Sequence, residues 1–64
     1  MRLEYIFWEI SFNDHKTRHA HLVRTLAYYE KFGTPSEIKD AREEMESVES
    51  MMINALRRMA EYAD

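Results

Sequence analysis

The only glycine and the only proline of this 64-residue chain, Gly33 and Pro35, stand two positions apart at its middle. No other feature limits the fold as strongly. Glycine readily closes a helix, and proline suits the first position of a new one. Phe32-Gly33-Thr34-Pro35-Ser36-Glu37 holds both signals in that order. Gly33 is expected to take the left-handed conformation that ends a helix, Thr34 to cap the next, Pro35 to open it and Glu37 to complete a capping box.

Both halves carry one periodicity. After Pro35, apolar or small residues recur at Ile38, Ala41, Met45, Val48, Met52, Ala55, Met59 and Tyr62. Before Gly33 the same alternation of three and four runs through Tyr5, Trp8, Phe12, His15, His19, Leu22, Leu26 and Tyr29. Such spacing is a heptad seam. Folding at Gly33-Thr34 opposes the seams, and the paired residue numbers then sum to 67, from Tyr5 with Tyr62 to Tyr29 with Ile38. Phe12 meets Ala55 and Leu26 meets Ala41, large facing small, as interdigitated layers require. His15 falls opposite Met52, His19 opposite Val48. Lys16 and Glu49 share a flank, where an exposed ion pair would contribute about 0.2–1 kcal/mol.

The expected fold is therefore all-α, a single domain over 1–64 built as an antiparallel two-helix hairpin with helices at about 3–32 and 35–63. One segment competes with this reading. Leu3 to Phe12 is rich in β-formers, and Ser11-Phe12-Asn13-Asp14 holds poor helix interiors that make good N-caps. The alternative is an N-terminal strand over 3–12 followed by two helices, the first starting near Asp14; a break or bend near Asn13 suits either arrangement. The seam crosses the segment without a phase error, which favours helix.

A chain this short buries only about 60% of its unfolded surface, and domains of this size commonly add disulfides, a metal or oligomerisation. There is no cysteine, hence no disulfide and no thiolate zinc site, which fits a reducing, cytoplasmic setting. The longest apolar-rich stretch, Leu3 to Phe12, is interrupted by Glu4 and Glu9 and falls far short of the ~20 residues of a membrane span. Neither a membrane helix nor a signal peptide is expected. The formal charge is −3. Residues 1–33 carry Arg2, Lys16, Arg18, Arg24 and Lys31 against Glu4, Glu9, Asp14 and Glu30, giving +1 and leaving −4 for the remainder. A net acidic chain is poorly suited to non-specific nucleic-acid binding.

Apolar residues also lie off the seams near the free ends. In helix one these are Leu3, Ile6, Phe7 and Ile10; in helix two, Ile53, Leu56, Ala60 and Ala63, with Met51 on the other flank. Burying a large aliphatic or aromatic side chain contributes roughly 1.5–3 kcal/mol, so Leu3, Ile6, Phe7, Ile10, Ile53, Leu56 and Ala60 are the candidate interface. A twofold homodimer forming a four-helix bundle is the simplest closure. The other is a different protein whose groove receives the helices.

Three further constellations carry polar side chains that could do chemistry. His15 and His19, four apart, place two rings on one helix face where they could share a metal, with Glu49 or Asp14 as a third ligand; filling seam positions is the plainer use. His21, Arg24, Tyr28 and Lys31 form a basic strip with one aromatic, suited to phosphates and a stacked base, although helix two turns Asp40, Glu43, Glu46 and Glu61 outward and a partner's acidic face could cover the strip. Ser11, Ser36, Ser47 and Ser50 have no base beside them in any triad-like pattern. The expectation is a small, non-enzymatic protein-interaction module without a cofactor, either regulator, adaptor or inhibitor. The alternative is a nucleic-acid-binding dimeric regulator that uses the basic strip.

Overall fold

The structure, a computed structural model, describes residues 2–63, in which α1 spans Leu3–Phe32 and α2 spans Pro35–Tyr62. The helices pack against each other and the described residues contain no strand. The strand alternative for residues 3–12 is thereby overturned, and α1 runs through Asn13 without a break. Weak helix formers are accommodated within it: the Thr17 hydroxyl donates to the Asn13 carbonyl and that of Thr25 to the His21 carbonyl, both at 3.1 Å. Packing along the seam outweighs local β-propensity here, because a lone strand would find no second strand to pair with.

The connection departs from expectation in one respect. Gly33 is not left-handed; it is extended (φ −94°, ψ 173°), as is Thr34 (φ −87°, ψ 161°). Two extended residues carry the chain straight from the last turn of α1 into the cap of α2. The Gly33 N–H still donates to the Tyr29 carbonyl at 2.7 Å. Glycine is required by space: a Cβ at this position would lie 2.8 Å from both Cβ and O of Tyr29. The capping box forms as its residues imply, with the Glu37 N–H donating to the Thr34 hydroxyl at 3.2 Å and the Thr34 N–H to the Glu37 carboxylate at 3.0 Å.

Burial follows the seams closely. In α2 the residues that are not exposed are the eight of its seam; in α1 they are the eight of its seam with Ile6, Ser11 and Thr25. Among the described residues, however, only Leu22, Ala41, Val48 and Ala55 are buried. Ala55 has no exposed surface, which fits its expected place opposite Phe12. The register can be checked on four side-chain contacts between the helices: Arg18 with Glu44, His19 with Glu49, Arg58 with Trp8 and Arg42 with Glu30. Their residue numbers sum to 62, 68, 66 and 72, averaging 67. Glu49 thus faces His19 rather than the expected Lys16, because a seam residue lies closer to the opposing helix than a flanking one.

The hairpin is long and thin, 47 × 14 × 11 Å between Cα atoms. Its radius of gyration of 14.6 Å compares with about 11 Å for a compact domain of this length. Among the described residues no helix is long and apolar enough to cross a membrane.

Candidate interaction surface

Two of the cross-hairpin ion pairs identify the flanks of the seam. Arg42 and Glu30, 3.8 Å apart, mark one; Arg18 and Glu44 mark the other. Leu56 lies two heptads beyond Arg42 and Val23 one heptad before Glu30, so both belong to the first flank. Ile53 and Ala60, three and four residues from Leu56, extend the same side of α2, as Ala20 and Ala27 extend that of Val23. Met51, one heptad beyond Glu44, belongs to the second flank. There it lines a shallow 340 Å³ groove with Trp8, Ser11, His15, Ser47, Ser50 and Asn54.

The expected interface residues divide between these sides. Ile53 and Leu56 remain 53% and 49% exposed on the first flank, with Ala60 exposed beside them. Ile6 is half-buried, so it contributes to the hairpin as well as to its surface. Leu3 and Ile10 stand on the outer ridge of α1, 81% and 56% exposed. Phe7 is turned toward the second flank: its ring meets the Trp8 ring edge-on at 5.1 Å, and it lines a depression with Ser11 and His15. Val23, also exposed on the first flank, is an apolar surface residue that sequence reasoning did not single out, although its spacing from Ala20 and Ala27 could have shown it. So is Phe32 at the loop end, whose ring lies 5.3 Å from that of Tyr28; their i, i+4 spacing was the available signal.

The histidines do not converge. The His19 Nε2 lies 3.2 Å from the Glu49 carboxylate, whereas His15 lines the groove beneath Met51. Among the described residues no three His, Asp or Glu side chains gather into a metal-binding cluster. His21, Arg24, Tyr28 and Lys31 are all exposed. Among the described residues neither Arg24 nor Lys31 enters an ion pair. The surface dips at Ala20, between Lys16 and Arg24.

The surface of the hairpin thus carries aliphatic residues toward the free end, alanines around Val23, and charges at the margins. Comparison of the chain with protein-family models, with curated proteins and with solved structures finds no match.

Proposed function

We propose that this chain is a small protein–protein interaction module, a cytoplasmic regulator, adaptor or inhibitor that acts through its helices and without catalysis. The observation carrying this reading is the large apolar side chains left exposed toward the free end, Ile53 and Leu56 on the first flank and Leu3 and Ile10 on the outer ridge of α1, on a hairpin whose described residues include only four that are buried. Single exposed apolar residues are ordinary on soluble proteins, but several large ones at one end exceed what a single hairpin can cover and favour an association surface. Completion by association, as in a four-helix bundle, would shield these side chains.

Replacing both Ile53 and Leu56 with Glu tests the proposal, since each is about half exposed and neither is a seam residue. The double variant should keep its helical circular dichroism while losing self-association in sedimentation and any specific protein captured by the wild type. Unchanged association by both measures would place the working surface elsewhere. The unpaired Arg24 and Lys31 support a second reading, nucleic-acid binding. Micromolar affinity for duplex DNA or structured RNA that falls steeply with salt, and is lost in Arg24→Ala with Lys31→Ala, would establish it instead.

A further inference from the structure

We infer that the occupant of the first flank is a second copy of this chain, stacked face to face about a twofold axis that runs obliquely along the flank. The inference rests on the interaction-module reading and specifies its partner.

Area is the first argument. The hairpin exposes 5017 Å², roughly 600 Å² more than the about 4400 Å² expected of a compact monomer of its mass. A standard protein interface buries about 800 Å² per partner. A second hairpin 47 × 14 Å across, laid on one face, offers cover of that order.

The pattern on the face is the second argument. In the 67-sum register, Ala60, Leu56 and Ile53 of α2 stand level with residues 7 to 14 of α1. Ala20, Val23 and Ala27 of α1 lie further toward the loop. The apolar residues thus form a band crossing the face from α2 at the free end to α1 at the loop end. Two charged corners remain, each of mixed sign, with Glu9 and Lys16 of α1 in one and Lys39, Arg42, Glu46 and Glu49 of α2 in the other. A twofold axis along the band leaves the band facing itself and exchanges the corners, setting Lys16 of each copy over Glu46 and Glu49 of the other. An axis perpendicular to the band would set Lys16 against its own copy. Among the described residues Lys16 and Glu46 have no ion-pair partner within the hairpin, so both are available for this contact. Apolar self-match and the approach of Lys16 to Glu46 and Glu49 of the other copy together make the face self-complementary.

Sedimentation equilibrium of the wild type should show a dimer at micromolar concentration. The chain has no cysteine, so Leu56→Cys reports the axis directly: mild oxidation should link it to its own copy, whereas Met51→Cys on the opposite flank should stay unlinked. Lys16→Glu should raise the dimer dissociation constant about two- to thirtyfold, because symmetry repeats the exposed pair twice, and adding Glu46→Lys should restore it. Both sites are exposed, so helicity serves as the folding control. A wild type that is monomeric at about 100 μM overturns the second copy; if Ile53→Glu with Leu56→Glu then abolishes binding to a different protein, the module reading survives. Linkage through Met51→Cys instead of Leu56→Cys overturns the face, and failure of Glu46→Lys to rescue overturns the axis.

Discussion

Gly33→Ala sets two effects of opposite sign against each other, and the structure decides between them. The backbone at Gly33 is extended, a conformation alanine adopts without strain. Considered alone, the replacement would stiffen the unfolded chain and stabilise the hairpin by about 0.4–1 kcal/mol. The added methyl would, however, lie 2.8 Å from the Tyr29 Cβ, 2.8 Å from its carbonyl oxygen and 2.9 Å from its Cα. These are backbone and backbone-proximal atoms of a helical turn and cannot rotate away. Relief requires Gly33 to move off Tyr29, weakening the 2.7 Å hydrogen bond between them. Overpacking of this kind costs about 1–3 kcal/mol, and loss of the hydrogen bond about 0.5–1.5 kcal/mol. The expected net is destabilisation by about 1–3 kcal/mol once the entropic gain is subtracted. Urea unfolding followed by helical ellipticity should show a lower midpoint with an unchanged slope, at one fixed protein concentration because association adds to apparent stability. A midpoint equal to or above that of the wild type would refute the claim that close approach to Tyr29 demands glycine.

Two further substitutions test the hairpin itself. Thr34→Ala removes one hydrogen bond of the capping box and leaves Glu37 to hold the other; stability to urea should fall by about 0.5–2 kcal/mol, whereas Thr34→Ser should cost little. Leu22→Ala hollows the one fully buried position of α1, with an expected loss of about 2–5 kcal/mol in the same assay, against a small change for the exposed Val23→Ala at concentrations where the chain is monomeric.

Much of this architecture is legible in the sequence because it rests on local chemistry and period. Thr34, Pro35 and Glu37 act within one turn of each other, so their order is enough to place the start of α2. The seam recurs through four heptads, and one helix constrains the other once the turn is located. Flanking contacts are a different matter. Lys16 and Glu49 share a side of the seam, yet the choice of His19 as the neighbour of Glu49 depends on small differences in distance that residue spacing does not carry. Gly33 misled for a related reason: a left-handed closure and a tight extended one both call for glycine, and the short path from Tyr29 to the Thr34 cap selects the second. On the surface, a candidate list read from the helical period alone put Phe7 together with Ile6. Successive helix residues point about 100° apart, and in the folded chain Phe7 joins Trp8 and Ser11 on the other side.

Residues 3–12 were hard to read as a helix for the same reason that the hairpin invites a partner. A helix stable by itself in water has one apolar stripe; one that is apolar on several sides needs cover on each. Tyr5, Trp8 and Phe12 are drawn toward α2 and are half-buried, while Leu3, Phe7 and Ile10 remain exposed. Helix α2 covers only one side of the segment, and its own Ile53 and Leu56 are exposed at the same end. The loop end has less of this excess, since Arg42 with Glu30 and Arg18 with Glu44 complete its flanks with charges. Hydrophobicity beyond what a hairpin can use blurs the helical period of α1, and on α2 the same excess leaves Ile53 and Leu56 for a second hairpin to bury. Under this reading the ambiguity of the N-terminal segment and the association face share one cause, apolar surface in excess of what a single hairpin can bury, although different residues carry each.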